Sequence, residues 1–138
     1  MKFSKYNTSS DYGPIDNNTV LDPEDDAAAV NWGGSWRMPT IEEWQELLDE
    51  CTWTWTTQNG VNGRLVTSNT NGNSIFLPAA GYHYSTGLGY AGSRGYYWSS
   101  SLLTDDPYGA YGLYFYSSNV SRSGSSRYYG RSVRPVTE

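Results

Sequence analysis

The sequence predicts a single α+β domain in which two short helices precede an antiparallel meander of strands. Capped helix starts occur early in the chain, and short alternating segments separated by Asn-Gly turns follow Cys51. The length of 138 residues is enough for one core but not for two. Hydrophobic residues make up only 37% of the chain, so the 16% of aromatic residues are expected to supply much of that core.

Each helix is predicted from its caps. Asp22 is expected as the N-cap of the first helix, which runs through Ala27–Val30 and ends at Gly33. In the second helix, Thr40 and Glu43 form an S/T-x-x-E capping box, and the five acidic residues that follow Thr40 are expected on its solvated face. The apolar face of this helix is predicted to comprise Ile41, Trp44, Leu47, Leu48 and Cys51.

Residues 1–138 are interpreted as one domain, and residues 1–21 as an irregular N-terminal arm anchored by Tyr6, Tyr12 and Ile15. After Cys51, turns are predicted at Asn-Gly pairs beginning at positions 59, 62 and 71, and residues 81–95 are expected to form an irregular loop. The predicted strands cover residues 53–56, 64–67, 74–80, 96–100, 110–116 and 128–136.

Composition excludes several classes of protein. No stretch approaches the roughly 18 apolar residues of a membrane span, and residues 1–6 lack a signal-peptide core, so a mature, truncated or cytoplasmic chain is expected. The net charge of −5 argues against nucleic-acid binding, because such binding needs a basic face. A single Cys and a single His exclude disulfide frameworks and Cys- or His-rich metal centres, and no cofactor is predicted.

Three motifs suggest chemistry, but each has a simpler structural interpretation. The segment 87–92 spells G-x-G-x-x-G, yet no helix is predicted after it, as a dinucleotide site would require. His83 has no nucleophile at the spacing of a catalytic triad. Asp22, Asp25 and Asp26 fit a helix start better than a cation site. The sequence therefore predicts a protein that is not an enzyme.

The last third of the chain has an unusual composition. Residues 97–137 contain ten Ser and seven Tyr but no Lys, Glu, Gln or Met, and their only Trp is Trp98. These five missing or rare residue types cannot be encoded by codons that end in a pyrimidine. One explanation is that the first two bases of Asn codons were randomised, which would produce such a segment. The alternative explanation is an ordinary Tyr-rich strand surface.

Exposed Tyr, Ser, Gly and Asn are the composition of an antibody-like binding surface, since Tyr offers a large contact area at low entropic cost. In residues 110–116, alternation is expected to bury Leu113 and Phe115 and to expose Gly112, Tyr114 and Tyr116. The predicted ligand-binding residues are Leu103, Asp105, Asp106, Tyr108, Gly109, Gly112, Tyr114, Tyr116, Ser121, Ser123, Gly124, Ser125, Ser126 and Tyr129.

Four segments carry a resemblance to a known family. Residues 34–44 resemble the W-R-[LM]-P-T-x-x-E-W motif of C-type-lectin-like domains, and residues 73–82, 95–101 and 131–136 are similar to the Fibrobacter succinogenes major paralogous domain family of gut Bacteroidetes. The similarity spans about residues 5–137. The last third also resembles the variable region in target proteins of diversity-generating retroelements.

The resemblance implies a C-type-lectin-like fold in which Trp36, Trp44 and Trp98 pack the helix against the sheet. It implies a diversified binding protein at a bacterial cell surface or on a phage particle, with a protein or glycan ligand on another cell or phage. Neither the cysteines of formylglycine-generating enzymes nor the calcium-binding sugar triplets of lectins are present. A fixed adhesin or carbohydrate-binding module, and an enzyme of the formylglycine-generating type that has lost its cysteines, remain as alternatives.

Overall fold

The computed structural model describes residues 5–137. The described chain forms mostly antiparallel sheets with two short helices, which confirms the predicted α+β class. Strands β1–β3 form one three-stranded sheet, β4 and β5 form a hairpin, and β6–β8 form a second three-stranded sheet. The elements are a 3-10 turn at Ser10–Tyr12, α1 (Ala27–Trp32), α2 (Ile41–Glu50), β1 (Cys51–Gln58), β2 (Val61–Ser68), β3 (Ser74–Pro78), β4 (Tyr82–Tyr84), β5 (Gly87–Gly89), β6 (Gly95–Leu102), β7 (Gly109–Tyr116) and β8 (Asn119–Ser126).

Helix α1 begins later than predicted, because Asp26 and not Asp22 is its N-cap. The backbone carbonyl of Asp22 accepts bonds from the amides of residues 25 and 26, which makes the preceding segment a turn. The buried carboxylate of Asp26 accepts bonds from the amides of Ala28 and Ala29 and also from that of Met38. The predicted end is correct, since Gly33 closes the helix with φ 65°.

Helix α2 forms as the capping box predicts. The Thr40 hydroxyl accepts a bond from the Glu43 amide, and the Glu43 carboxylate accepts one from the Thr40 amide at 2.9 Å. Ile41 and Trp44 are buried, and the Trp44 side chain is only 1% exposed. Cys51, predicted on this helix, instead opens β1.

Glu43 makes one end of α2 sensitive to acid. Arg37 donates to both of its carboxylate oxygens, at 2.6 and 3.0 Å, and mainly for this reason the pKa of Glu43 falls from 4.5 to about 2. A carboxylate whose pKa is lower in the folded state stabilises the fold above its unfolded pKa and loses that effect as it is protonated. The contribution of Glu43 is therefore complete above about pH 4.5 and is lost towards pH 2.

The unfolding free energy of the unchanged protein should decrease between pH 5 and pH 2, and we expect this decrease to be smaller in the Glu43→Gln variant. Urea unfolding curves, recorded across this pH range for both proteins, would measure it. The neighbouring and exposed Glu42, changed to Gln, is the matched control because it lacks the contacts to Arg37 and Thr40. An E43Q curve parallel to that of the unchanged protein would contradict the prediction.

The first sheet follows the predicted meander with one error. Turns at Asn59-Gly60 and Asn71-Gly72 connect its strands, but Asn62-Gly63, which was also predicted as a turn, lies inside β2. Gly63 is needed there for another reason, because an added Cβ would lie 2.3 Å from the carbonyl oxygen of Leu77 on β3. Close packing between strands, and not turn formation, thus explains this glycine.

The second sheet differs from the prediction at its last strand. Residues 119–126 form β8, which pairs with β7 over eight positions from Gly109/Ser126 to Tyr116/Asn119. The predicted strand at 128–136 is wrong, because that segment makes only isolated bridges, such as the one between Tyr97 and Ser132. The Ser-rich β8 has weak strand propensity, and its backbone pairing with β7 decides its conformation.

The main core lies between the two sheets and α2. It joins Ile41 and Trp44 to Val66 and Leu77 of the first sheet and to a central group from β6 and β7. That group is Tyr97, Leu113 and Phe115, so the predicted burial of the last two is confirmed. Buried Arg64 also connects the two sheets, since it donates to the carbonyl oxygens of Trp53 and Tyr116.

The arm, described from residue 5 onward, packs on the opposite face of the second sheet. Tyr6 is buried with Leu102 and Ala110, so its predicted anchoring role is confirmed. Trp98 packs against this cluster and not with Ile41 and Trp44 of α2, so it does not pack that helix against the sheet as the resemblance implied. Ile15 and Trp36 were predicted as packing residues, and both predictions are wrong because these side chains are substantially exposed. Residues 1–4 of the predicted arm lie outside the described residues.

The segment expected to be an irregular loop contains the β4–β5 hairpin. Its register pairs Tyr82 with Gly89 and Tyr84 with Gly87. A Cβ at Gly89 would lie 2.9 Å from the Tyr82 ring, so glycine leaves room for that ring. The hairpin is joined to the body of the domain by a bridge between His83 and Gly130.

Candidate functional site

Eight tyrosines form a continuous surface across the hairpin, the second sheet and the C-terminal segment. Tyr82 is its centre, with ring centroids 5.1 Å from Tyr96 and 5.4 Å from Tyr129. From Tyr96 the contacts continue to Tyr114 at 5.1 Å. We call this the tyrosine surface, and it consists of Tyr82, Tyr84, Tyr90, Tyr96, Tyr114, Tyr116, Tyr128 and Tyr129.

Strand register explains why these rings meet. Tyr96 on β6 lies directly opposite Tyr114 on β7, and residues directly opposite share a face of the sheet. Tyr116, two residues further along β7, lies on the same face. We call this the outer face, because the other face carries Leu113 and Phe115 into the core.

The tyrosine surface encloses an open cleft of about 290 Å³ beside two arginines. The Arg94 guanidinium lies 3.9 Å from the Tyr90 ring centroid. That of Arg131 lies between two rings, 4.9 Å from Tyr96 and 4.6 Å from Trp98. The cleft is lined by Tyr82, Tyr90, Arg94, Tyr96, Ser125, Tyr129 and Arg131.

Several predicted ligand-binding residues come together here. Tyr114, Tyr116 and Tyr129 belong to the tyrosine surface, and Ser125 lines the cleft. On β8, the predicted serines at 121 and 123 lie opposite Tyr114 and Gly112 and therefore also on the outer face. Six of the predicted residues thus share one side of the domain: Tyr114, Tyr116, Ser121, Ser123, Ser125 and Tyr129.

Other predicted residues lie apart from the tyrosine surface. Gly109 pairs with Ser126 on the core-side face, and Leu103 packs there so closely that a Cβ at Gly109 would lie 2.3 Å from it. Gly124 is similarly in contact with Leu103. Asp105 and Asp106 are exposed in the loop between β6 and β7. Tyr108 packs edge-on against Tyr12 of the arm, with ring centroids 4.7 Å apart, so Tyr12 is an anchor as predicted.

Gly112 was predicted to be exposed, and this prediction is wrong. Gly112 lies on the outer face, but the Arg131 side chain covers it and leaves it buried. A Cβ at this position would lie 2.6 Å from the carbonyl oxygen of Tyr97 and 3.3 Å from Nη1 of Arg131. Gly112 therefore serves close packing and is not available for contact with a ligand.

Sequence reasoning missed five of the eight tyrosines and both cleft arginines; Tyr128, one of the five, lies in the segment that composition singled out but was not among the predicted residues. Tyr82, Tyr84, Tyr90 and Tyr96 all precede the segment that composition singled out. A signal for two of them is the period-two spacing of Tyr82 and Tyr84 directly before a Ser-Thr-Gly turn, as in the first strand of a hairpin. Arg94 and Arg131 carry no comparable signal, since their role depends on rings brought together by the fold.

The structure shows the surroundings of the G-x-G-x-x-G segment, of the single cysteine and of the single histidine. Residues 87–92 form β5 and a turn, so no strand–loop–helix arrangement is built there. Cys51 lines a cavity of about 660 Å³ beneath α2. The pKa of its thiol is raised, first because the thiol is partly buried and second because the negative charges of Glu50 and Glu46 are near. His83, the one histidine of the sequence, is exposed on β4 and is not among the residues that line this cavity, so the fold does not bring it together with Cys51.

The carboxylates at the start of α1 already have a cationic partner. The Nζ of Lys5 lies 2.9 Å from Asp22, 2.8 Å from Glu24 and 2.5 Å from Asp25. The hydroxyl of Tyr6 also donates to Asp25. The ammonium group thus occupies the centre of the acidic group, which serves to fasten the arm to the domain.

Comparison with known proteins identifies one family. The model of a domain of unknown function (DUF8237) matches residues 53–136. This segment includes β1 from its third residue, all later strands and the whole tyrosine surface. No curated protein and no solved structure matches the chain. Within residues 5–137, neither helix has the length and apolar character needed to cross a membrane. Since the matched segment covers more than half of the sequence, the protein belongs to the DUF8237 family.

Proposed function

We propose that this protein is a non-enzymatic recognition domain of C-type-lectin-like fold that binds its ligand through the tyrosine surface. The observation that carries the proposal is the continuity of eight exposed or half-exposed tyrosine rings on one side of the domain. Large amphipathic rings give much contact area for little entropic cost, which is why binding surfaces are rich in them. The order of elements, with two helices before the sheets, agrees with the proposed fold.

We further propose that the surface is diversified, as in target proteins of diversity-generating retroelements. Six predicted variable residues lie on one side of β7, β8 and the following segment, while Leu113 and Phe115 point into the core. Such a division lets side chains change without loss of the fold, since exposed substitutions have small effects on stability. The ligand would be a protein or glycan on another cell or phage, and the domain would be displayed at a cell or phage surface.

A fixed adhesin or carbohydrate-binding module is the second candidate. One observation favours it, because four of the eight tyrosines precede residue 97 and lie outside the segment with the unusual composition. A surface that is half outside the variable segment is equally suited to one ligand that never changes. Natural sequence variation separates the two candidates.

Deep sequencing of this gene from a bacterial population that carries it tests diversification. We expect substitutions at the codons for the six outer residues Tyr114, Tyr116, Ser121, Ser123, Ser125 and Tyr129 and for the loop residues Asp105, Asp106 and Tyr108. Trp98, Leu113 and Phe115 should stay fixed because they pack inside the domain.

The structure adds one expectation that composition alone does not give. Gly112 should also stay fixed, because any side chain there would collide with the Tyr97 carbonyl oxygen. Variation that is absent, or scattered evenly over the chain, would contradict diversification and would favour the fixed adhesin.

A further inference from the structure

Within residues 5–137, the two arginines of the cleft have no acidic partner. The ion pairs within residues 5–137 join Lys5 to the acidic group at α1 and Arg37 to Glu43, and neither cleft arginine takes part in them. None of the described residues that line the cleft is Asp or Glu. In a chain with a net charge of −5, two uncompensated positive charges in one cleft are unusual.

The surroundings of Arg131 favour the binding of a negatively charged ligand. Its Nε and Nη1 are buried and have no hydrogen-bond partner in the described part of the chain, and burial lowers the pKa of its guanidinium. The rings of Tyr96 and Trp98 fix the plane of the group, so its orientation is set before any ligand arrives. A buried charge of this kind is stabilised strongly when an opposite charge pairs with it.

Arg94 lies at the same cleft but is more accessible. It stacks on Tyr90, and its pKa is raised, chiefly through a hydrogen bond with the Tyr96 side chain. The groups that act electrostatically on both arginines are tyrosines. Tyr96 therefore connects the two guanidinium groups through one ring.

The remaining lining identifies the kind of ligand. It consists of tyrosine rings with their hydroxyls and the hydroxyl of Ser125, with no aliphatic side chain. Apolar peptide side chains would have no aliphatic surface to pack against in this lining. A sugar ring, in contrast, can stack on the tyrosine faces and form hydrogen bonds with the hydroxyls. The volume of about 290 Å³ is small for a protein contact and suits one or two sugar rings.

We propose that the cleft binds an acidic sugar of the hexuronic type, with its ring against Tyr82 and Tyr96 and its carboxylate paired with Arg131 and Arg94. This inference rests on the proposed function and specifies its ligand class. The guanidinium groups supply charge-assisted hydrogen bonds, which are stronger than those between neutral groups. Binding should weaken as salt concentration rises, because the cleft is open to solvent.

An NMR titration with defined probes tests this proposal on the full chain. We expect methyl α-D-glucuronide to shift the amide and ring resonances of the cleft at about tenfold lower concentration than methyl α-D-glucoside. Sodium acetate should bind much more weakly than the glucuronide, because it offers a carboxylate without a ring. The Arg94→Gln and Arg131→Gln variants should each lose most of the preference for the glucuronide.

Arg122→Gln is the matched control, since Arg122 is exposed on the core-side face of β8 and pairs with Leu113. It should bind like the unchanged protein. Arg94 is not enclosed by the fold, so its variant keeps the test valid if Arg131→Gln proves unstable. Equal affinity for glucuronide and glucoside, unaffected by either arginine variant, would overturn the proposal.

Two further results would overturn it as well. One is the absence of shifts at the cleft with either sugar at tens of millimolar, and the other is acetate binding as tightly as the glucuronide. None of these outcomes depends on the distribution of natural substitutions. The proposed diversified surface is therefore tested independently, by sequencing.

Discussion

Phe115→Ala is expected to lower the free energy of unfolding by about 3–5 kcal/mol, the range for removing a large buried aromatic ring. The ring of Phe115 is 0% exposed. It lies 6.4 and 6.5 Å from the rings of Trp53 and Trp55 in the first sheet, and 6.1 Å from that of Tyr97 in the second. Loss of this ring leaves a cavity at the junction of the two sheets. Urea unfolding followed by tryptophan fluorescence would measure the change.

Tyr116→Ala is the matched control for this prediction. Tyr116 is the next residue on β7, but it lies half-exposed on the outer face. Its removal should cost about 1 kcal/mol or less. Equal losses for the two variants would show that position in the core is not what makes Phe115 important, and would contradict the described packing.

Asp26→Ala is expected to cost about 2–4 kcal/mol, because one change removes a helix cap and leaves three amides without a partner. The Asp26 carboxylate accepts bonds from Ala28, Ala29 and Met38, and the residue is only 4% exposed. The bond to Met38 connects α1 to the segment that leads into α2. Thermal unfolding gives the stability change, and hydrogen exchange should show faster exchange at the three amides.

Asp22→Ala distinguishes the two candidate caps. Its carboxylate pairs with Lys5 at the surface, and the turn at Asp22 uses the backbone carbonyl, which alanine retains. We expect a loss of about 1 kcal/mol or less, as for exposed ion pairs. A larger loss for Asp22→Ala than for Asp26→Ala would restore the cap predicted from sequence.

Local signals were sufficient for the elements that depend on neighbouring residues. The Thr40/Glu43 capping box located α2, and the alternation of Trp53 and Trp55 located β1. The same logic placed Leu113 and Phe115 in the core. In each case the signal is a spacing of residues within one helical turn or along one strand, so the pattern is present in the sequence itself.

Long-range contacts explain the errors. The first helix has several acidic candidates for its cap, and Asp26 is selected because it also binds Met38, twelve residues away. Gly63 belongs to a strand because Leu77 of β3 lies against it. Likewise, β8 forms from a Ser-rich segment because β7 offers a partner at every position. Such partners cannot be inferred from local propensity.

The candidate site shows the same division. Composition indicated Tyr114, Tyr116 and Tyr129, because all three lie in the segment of unusual amino-acid composition. It gave no indication of Tyr82, which is the centre of the tyrosine surface. The hairpin is brought to the sheet by bridges from His83 to Gly130 and from Gly81 to Gly95. Only the assembled fold makes these residues neighbours.

The origin of the tyrosine surface from two parts of the chain has a consequence for a family of variants. Tyr82, Tyr84, Tyr90 and Tyr96 would be inherited unchanged by every member of a repertoire generated in residues 97–137. Each member would therefore begin with the same weak, general affinity for its class of ligand. New side chains on β7 and β8 would only need to refine the choice within that class, so a small number of mutations could produce a useful binder.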